Sequence, residues 1–134
     1  MSTTEARTIV VTGGSRGIGR SICRTLAEPG AVVCFNYFNP ADPEGEAAAA
    51  EKTGRIIAES GARAMSREVD VADPEQTASF FKEVVEETGR IDVLVNNAGI
   101  TRDTLLVRMK PADWDAVMNV NLKGTFNGLQ AAGK

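Results

Sequence analysis

Thr12-Gly13-Gly14-Ser15-Arg16-Gly17-Ile18-Gly19 stands between an apolar run, Arg7 to Thr12, and a segment of helical period, Gly17 to Glu28. A glycine string that follows a strand and opens a helix is where a phosphate cradle can form. Gly13 allows the tight turn, Gly17 lets the backbone approach a pyrophosphate and Gly19 permits close helix–strand packing. The free amides of the helix N-terminus favour an anion. The spacing is G-x-x-x-G-x-G rather than G-x-G-x-x-G, so a flexible glycine turn without a ligand is the competing reading. The helix is expected to bury Ile18, Ile22 and Leu26 and to stop at Pro29-Gly30.

Working outward, Ala31 to Asn36 reads as a second strand, Glu46 to Glu59 as a helix ended by Gly61, and Arg63 to Val71 as a third strand. Pro74 opens a helix with Phe80, Phe81, Val84 and Val85 facing inward, Ile91 to Asn96 forms a fourth strand, and Pro111-Ala-Asp-Trp114 begins a helix that runs to Lys134. Tyr37 to Gly45, with Asn39-Pro40 and Asp42-Pro43, is a turn-rich loop. Three successive right-handed βαβ crossovers give an α/β fold, a doubly wound parallel sheet in the order 3-2-1-4 with helices on both faces. Residues 1–134 form one domain, or the leading part of one.

Composition narrows the chemistry. The chain has 134 residues, 43% apolar and 25% charged, the profile of a globular domain. No apolar run approaches the length of a membrane span, and Met1 to Arg7 carries no secretory pattern, so a cytoplasmic location is expected. A net charge of −3 gives no footprint for nucleic acid or an anionic membrane. Within it, residues 1 to 27 carry four arginines and one acid, a local positive field for a phosphorylated ligand or a solvated helix face. The chain has no histidine, which removes Ser-His-Asp and Cys-His hydrolases and the usual imidazole zinc sites, and no metal is expected. Cys23 and Cys34 read as buried thiols.

The second strand ends Phe35-Asn36-Tyr37-Phe38, with Asn36 where an acid would bond a ribose 2′-hydroxyl. Arg16, inside the cradle, can pair with a 2′-phosphate, which favours NADP(H) over NAD(H). Alternatively Arg16 is a solvated helix-start residue, and the loop after Tyr37 returns an acid to the site. Asp70-Val71 and Asn96-Asn97-Ala98-Gly99 project from other strand ends to the same carboxyl edge of the sheet.

Taken in order, Thr12 to Gly19, Asp70-Val71, Asn96 to Gly99 and Asn119-Val-Asn-Leu122 resemble the short-chain dehydrogenase/reductase family over the whole chain. Asn96 to Met109 followed by Trp114 is most similar to its 3-oxoacyl-[acyl-carrier-protein] reductase branch, with acetoacetyl-CoA reductases next. The resemblance implies a Rossmann-type fold and NADPH-dependent reduction of a 3-oxoacyl thioester in fatty-acid synthesis. It also implies acyl carrier protein as a partner and a homo-oligomer, by family pattern a tetramer. Gly13, Gly14, Ser15, Arg16, Gly17, Ile18 and Gly19 would hold the pyrophosphate. Asp70 and Val71 would hold the adenine, Asn97, Ala98 and Gly99 the ribose, and Val120 would complete the cofactor site. Asn121 matches the structural and proton-relay asparagine. The family's serine and Tyr-x-x-x-Lys pair would follow Lys134, as would further strands beside the fourth. Tyr37 cannot replace them, because Ala41 stands four residues on. Inactivity is therefore expected of these residues alone, and a non-catalytic nucleotide-binding module is the alternative.

Overall fold

The computed structural model describes residues 7–100 and 105–133. Residues 1–6, residues 101–104 of the Asn96 to Met109 motif, and Lys134 lie outside them. Four parallel strands, β1 (Thr8–Val11), β2 (Val32–Tyr37), β3 (Arg63–Glu68) and β4 (Val93–Val95), form one sheet in the order β3-β2-β1-β4. α1 (Gly17–Leu26) and α2 (Pro43–Glu59) lie on one side of it, and α3 (Pro74–Thr88) and α5 (Gly124–Ala132) on the other. The expected order and layering are those observed.

The period of two explains how β1 and β2 serve both layers. Ile9, Val11, Val33 and Phe35 enter the core under α1 and α2 with Cys23, Ala50 and Ile57. Val10 and Cys34 face the opposite core of Phe80, Phe81, Val84 and Met65. A continuous apolar run is what a central parallel strand needs, and each buried Val, Ile or Phe contributes roughly 1.5–3 kcal/mol. Both cysteines are free thiols without exposure, and burial pushes each to a pKa of about 12. At one edge, Arg63 and Arg67 of β3 pair with Glu87 and Glu83 of α3 at 3.2 and 2.6 Å, a charged edge that resists further pairing.

Several boundaries differ from the sequence expectation. α2 begins at Pro43, because Asp42 caps it by accepting from the Gly45 amide at 3.0 Å and Pro43 takes the first helical position. The loop after β2 is correspondingly short. β3 ends at Glu68 because Asp70 turns the chain, its Oδ1 accepting from the Ala72 amide at 3.0 Å. Ile18 and Val85 are exposed rather than core-facing, at 74% and 44%. The single helix expected after Pro111 is three segments: α4 (Pro111–Val117), a π-helical stretch (Met118–Lys123) and α5. A short 3-10 turn, Leu106–Arg108, precedes them.

The carboxyl ends of β1, β2 and β4 deliver Thr12, Asn36 and Asn96 to one edge. From β1 the chain order runs to opposite sides, to β2 and to β4, so a crevice opens at the edge where such sheets bind ligands.

Candidate functional site at the carboxyl edge of the sheet

A cavity of about 800 Å³ occupies that crevice, walled by the glycine turn, the end of β2 with the loop behind it, the Val69 to Ala72 turn, Asn97 to Ile100, and the inner face of α4 and the π segment. The backbone of the turn uses glycine where no other residue would serve. Gly13 and Gly17 lie in the left-handed region at φ +72° and +59°. Gly19 lies directly under the Gly13 carbonyl, and a Cβ there would also stand 2.7 Å from Asn97 Nδ2. Gly14 packs on Phe35 rather than facing the cavity, with a Cβ landing 2.6 Å from that ring's Cβ.

Each wall is fastened to the turn by a polar side chain. The Gly13 amide donates to Asn36 Oδ1 at 2.8 Å, and Asn36 Nδ2 donates to the Val69 carbonyl at 2.8 Å. Asn36 is 2% exposed, so its amide ties the glycine turn to the β3 side. Thr12 Oγ1 accepts from the backbone amides of Asn97 and Ala98 at 2.9 and 3.0 Å. Asn97 Nδ2 donates to the carbonyls of Thr12 and Gly13, both at 3.1 Å. Val71 is held by Asn127 of α5, whose Nδ2 donates to its carbonyl at 2.9 Å. Asn121 lies in the π segment, a distortion frequent at functional sites. Its Oδ1 accepts from the Ile100 amide at 2.8 Å and its Nδ2 donates to the Ile100 carbonyl at 3.0 Å, so it fixes the strand-end loop across the cavity mouth.

The start of α1 differs from those of α2 and α3. Asp42 and Asp73 cap the latter two, whereas no side chain caps α1 and no acid stands in its first turn. Its first amides are oriented with the positive end of the helix dipole beside the cavity, the arrangement that receives a phosphate.

α2 supplies what the sequence reading assigned to no residue. Arg20 Nη2 donates to the carbonyls of Ser15 and Ala49 at 2.7 and 3.0 Å, and its Nε donates to Thr53 Oγ1 at 3.0 Å. Thr53 in turn donates to the Ser15 carbonyl at 2.9 Å, so the glycine turn is carried on α2 from beneath. Glu46, in the first turn of α2, receives hydrogen bonds from Ser15 Oγ, from Arg16 and from Asn39. Burial pushes its carboxyl up, but those three hydrogen bonds and the Arg16 charge outweigh burial and hold it below the ordinary 4.5. Two of the four arginines at this end are ion-paired, Arg16 with Glu46 and Arg7 with Glu28.

Of the expected residues, Gly13, Ser15, Arg16, Ile18, Gly19, Asn36, Asp70, Val71, Asn97, Ala98, Gly99 and Val120 line the cavity. Gly14 does not, and Gly17 lies on the outer side of the turn beside Ile18 and Ser21. Glu46, Asn39 and Asn119 also line it and were not expected; the one available signal was Asp42-Pro43, which starts α2 early enough to bring Glu46 to the turn.

A profile of the short chain dehydrogenase family matches residues 7–134. The chain is 47% identical over 126 residues to a 3-oxoacyl-[acyl-carrier-protein] reductase of Staphylococcus aureus, covering 94% of this chain and 49% of that protein. Among solved structures, a short-chain dehydrogenase/reductase from Serratia marcescens superposes with a TM-score of 0.84 at 31% identity, over 96% of this chain and 50% of that one. A blue fluorescent protein from a metagenomic library, in complex with NADPH, superposes with a TM-score of 0.85 at 35% identity, over 96% and 51%. The chain spans about half the length of the curated relatives it matches. The strand order, the glycine turn before α1 and a profile match from Arg7 onward agree, and the chain belongs to the short-chain dehydrogenase family.

Proposed function

We propose that these residues form the dinucleotide-binding part of an NADP(H)-dependent reductase of 3-oxoacyl thioesters carried on acyl carrier protein. The observation that carries the reading is the uncapped start of α1 beside a cavity that also presents Arg16 and the strand-end asparagines. Support comes from the resemblance to a 3-oxoacyl-[acyl-carrier-protein] reductase and from the NADPH-bound relative.

The residues present fit such a cofactor. The first amides of α1 would receive the pyrophosphate, with Gly13 and Gly19 letting the turn pack closely on itself and on Asn97. Arg16 would meet a 2′-phosphate. Asp70 and Val71, which line the cavity, would meet the adenine, and Asn97 to Gly99, which also line it, the ribose. NADPH, when bound, would supply the hydride for reduction of the keto carbon. Hydride transfer leaves an alkoxide that needs a proton, and a positioned general acid is worth roughly 10²- to 10⁴-fold. Among the described lining residues only Arg16, Tyr37, Glu46 and Asp70 are titratable, and Tyr37 sits at the end of β2. Asn121, with both polar ends on Ile100, is a positioning residue that holds the Gly99 loop. On this reading the proton donor is the tyrosine of the family's Tyr-x-x-x-Lys pair, which a longer form of the enzyme would supply.

The test is steady-state NADPH oxidation with acetoacetyl-CoA, on the 134-residue chain and on a form extended to about 250 residues. NADPH binding by both, with turnover only by the extended form, is expected. Equal kcat in the two would overturn the assignment of the proton donor, and absence of NADPH binding by either would overturn the cofactor reading.

A further inference from the structure

Arg16 and Glu46 meet at the rim of the cavity. The carboxylate takes the guanidinium at two points, Nη2 to Oε1 at 3.2 Å and Nε to Oε2 at 3.2 Å. Asn39 Nδ2 donates to Oε1 at 3.3 Å, and Ser15 Oγ donates to Oε2. A planar guanidinium fork closed on two oxygens, with a hydroxyl and an amide beside it, is the donor set that a phosphate would also select. The two partners are unequally held. The Glu46 side chain is 8% exposed and keeps Ser15 and Asn39 whatever Arg16 does, whereas the Arg16 side chain is 59% exposed and can turn toward solvent or ligand.

We propose that Glu46 acts as an internal anion that competes with a nucleotide's 2′-phosphate for Arg16, and so sets how strongly this chain prefers a 2′-phosphorylated over an unphosphorylated adenosine ribose. The proposal rests on the reading of the cavity as a dinucleotide site. A 2′-hydroxyl asks nothing of Arg16 and leaves the pair intact. A 2′-phosphate gains the guanidinium only by drawing it off Glu46, so the cost of opening the pair falls on the phosphorylated nucleotide alone. Glu46 is thereby a specificity-determining residue that works through Arg16.

Isothermal titration of NADP⁺ and NAD⁺ into the chain, its Glu46→Gln and Arg16→Ala variants and the double variant tests this, with circular dichroism reporting the fold of each. Glu46→Gln keeps the shape and removes the charge. It is expected to raise the NADP⁺ to NAD⁺ affinity ratio roughly fivefold, the size of one half-exposed ion pair. In the Arg16→Ala background the same substitution is expected to change the ratio less than about twofold, because no guanidinium remains to compete for; simple repulsion by Glu46 would persist there. A second measurement needs no substitution: the Arg16 Nε–H resonance of the unaltered chain is expected to shift with NADP⁺ and not with NAD⁺. An unchanged ratio in Glu46→Gln, an equal effect in the Arg16→Ala background, or an Arg16 resonance that NADP⁺ leaves unmoved overturns the proposal while the dinucleotide reading stands. Failure of the unaltered chain to bind either nucleotide overturns both.

Discussion

Around the glycine turn, polar atoms find their partners inside the chain: Ser15 with Glu46, Arg20 and Thr53, Asn36 with Gly13 and Val69, Asn97 with Thr12. Across the cavity, α4, the π segment and α5 present Trp114, Leu122, Phe126 and Leu129 to solvent at 54% to 61% exposure. The first region closes on itself through α2, and its buried hydrogen bonds give it one geometry. The second carries large apolar surface of the kind that further protein covers. On the proposed reading, the adenosine and phosphate portions of a dinucleotide would bind against the first region, and further protein would sit against the second.

The largest break in this contrast is expected at Gly19. A Cβ there collides with the Gly13 carbonyl and crowds Asn97, neither of which can yield without opening the turn. Gly19→Ala is expected to cost about 3 kcal/mol, the upper range for an overpacked site, read from urea denaturation. A cost below about 0.5 kcal/mol would mean that the turn is not the rigid element described.

A paired substitution sharpens the comparison. Thr53→Val removes one of the two donors to the Ser15 carbonyl and the acceptor of Arg20 Nε at a fully buried side chain, and is expected to cost about 1–3 kcal/mol. Phe126→Ser, on the exposed side, is expected to stay within about 0.5 kcal/mol in the same assay. Equal costs would erase the distinction between the two regions.

Much of this was readable in the residues themselves. The Ile9-Val10-Val11 and Val32 to Phe35 runs are too apolar for any place but the sheet centre, and the glycine string between strand and helix placed the crevice. Ile18 misled, because its helical spacing matches Ile22 and Leu26 while the first turn of α1 rises out of the core toward the cavity. Asn36 was legible as a replacement for an acid, but not as the link between Gly13 and Val69, since those partners are 23 and 33 residues distant. The π segment has no local signature, and its Asn121 bonds Ile100, 21 residues distant. Glu46 was obscured by the two Asx-Pro pairs before it, read as a loop although the second is a helix start.

A smaller effect concerns acidity. Because the Glu46 carboxyl is held below 4.5 in the folded chain, its stabilising contribution is fully present above that pH and is lost as the pH falls through the lower folded value. The urea midpoint of the unaltered chain is expected to fall as the pH is taken below 4.5, and that of Glu46→Gln to fall less. A steeper fall in the variant would show that Glu46 is not stabilised as the carboxylate.

Amide hydrogen exchange of the chain with and without NADP⁺ tests the central claim most directly, since it reads both regions at once. Slowing is predicted at residues 13–19, 36–41 and 97–100, with residues 124–132 of α5 unchanged. Slowing confined to α5, or spread evenly along the chain, would contradict the assignment of the cofactor to the glycine-turn region.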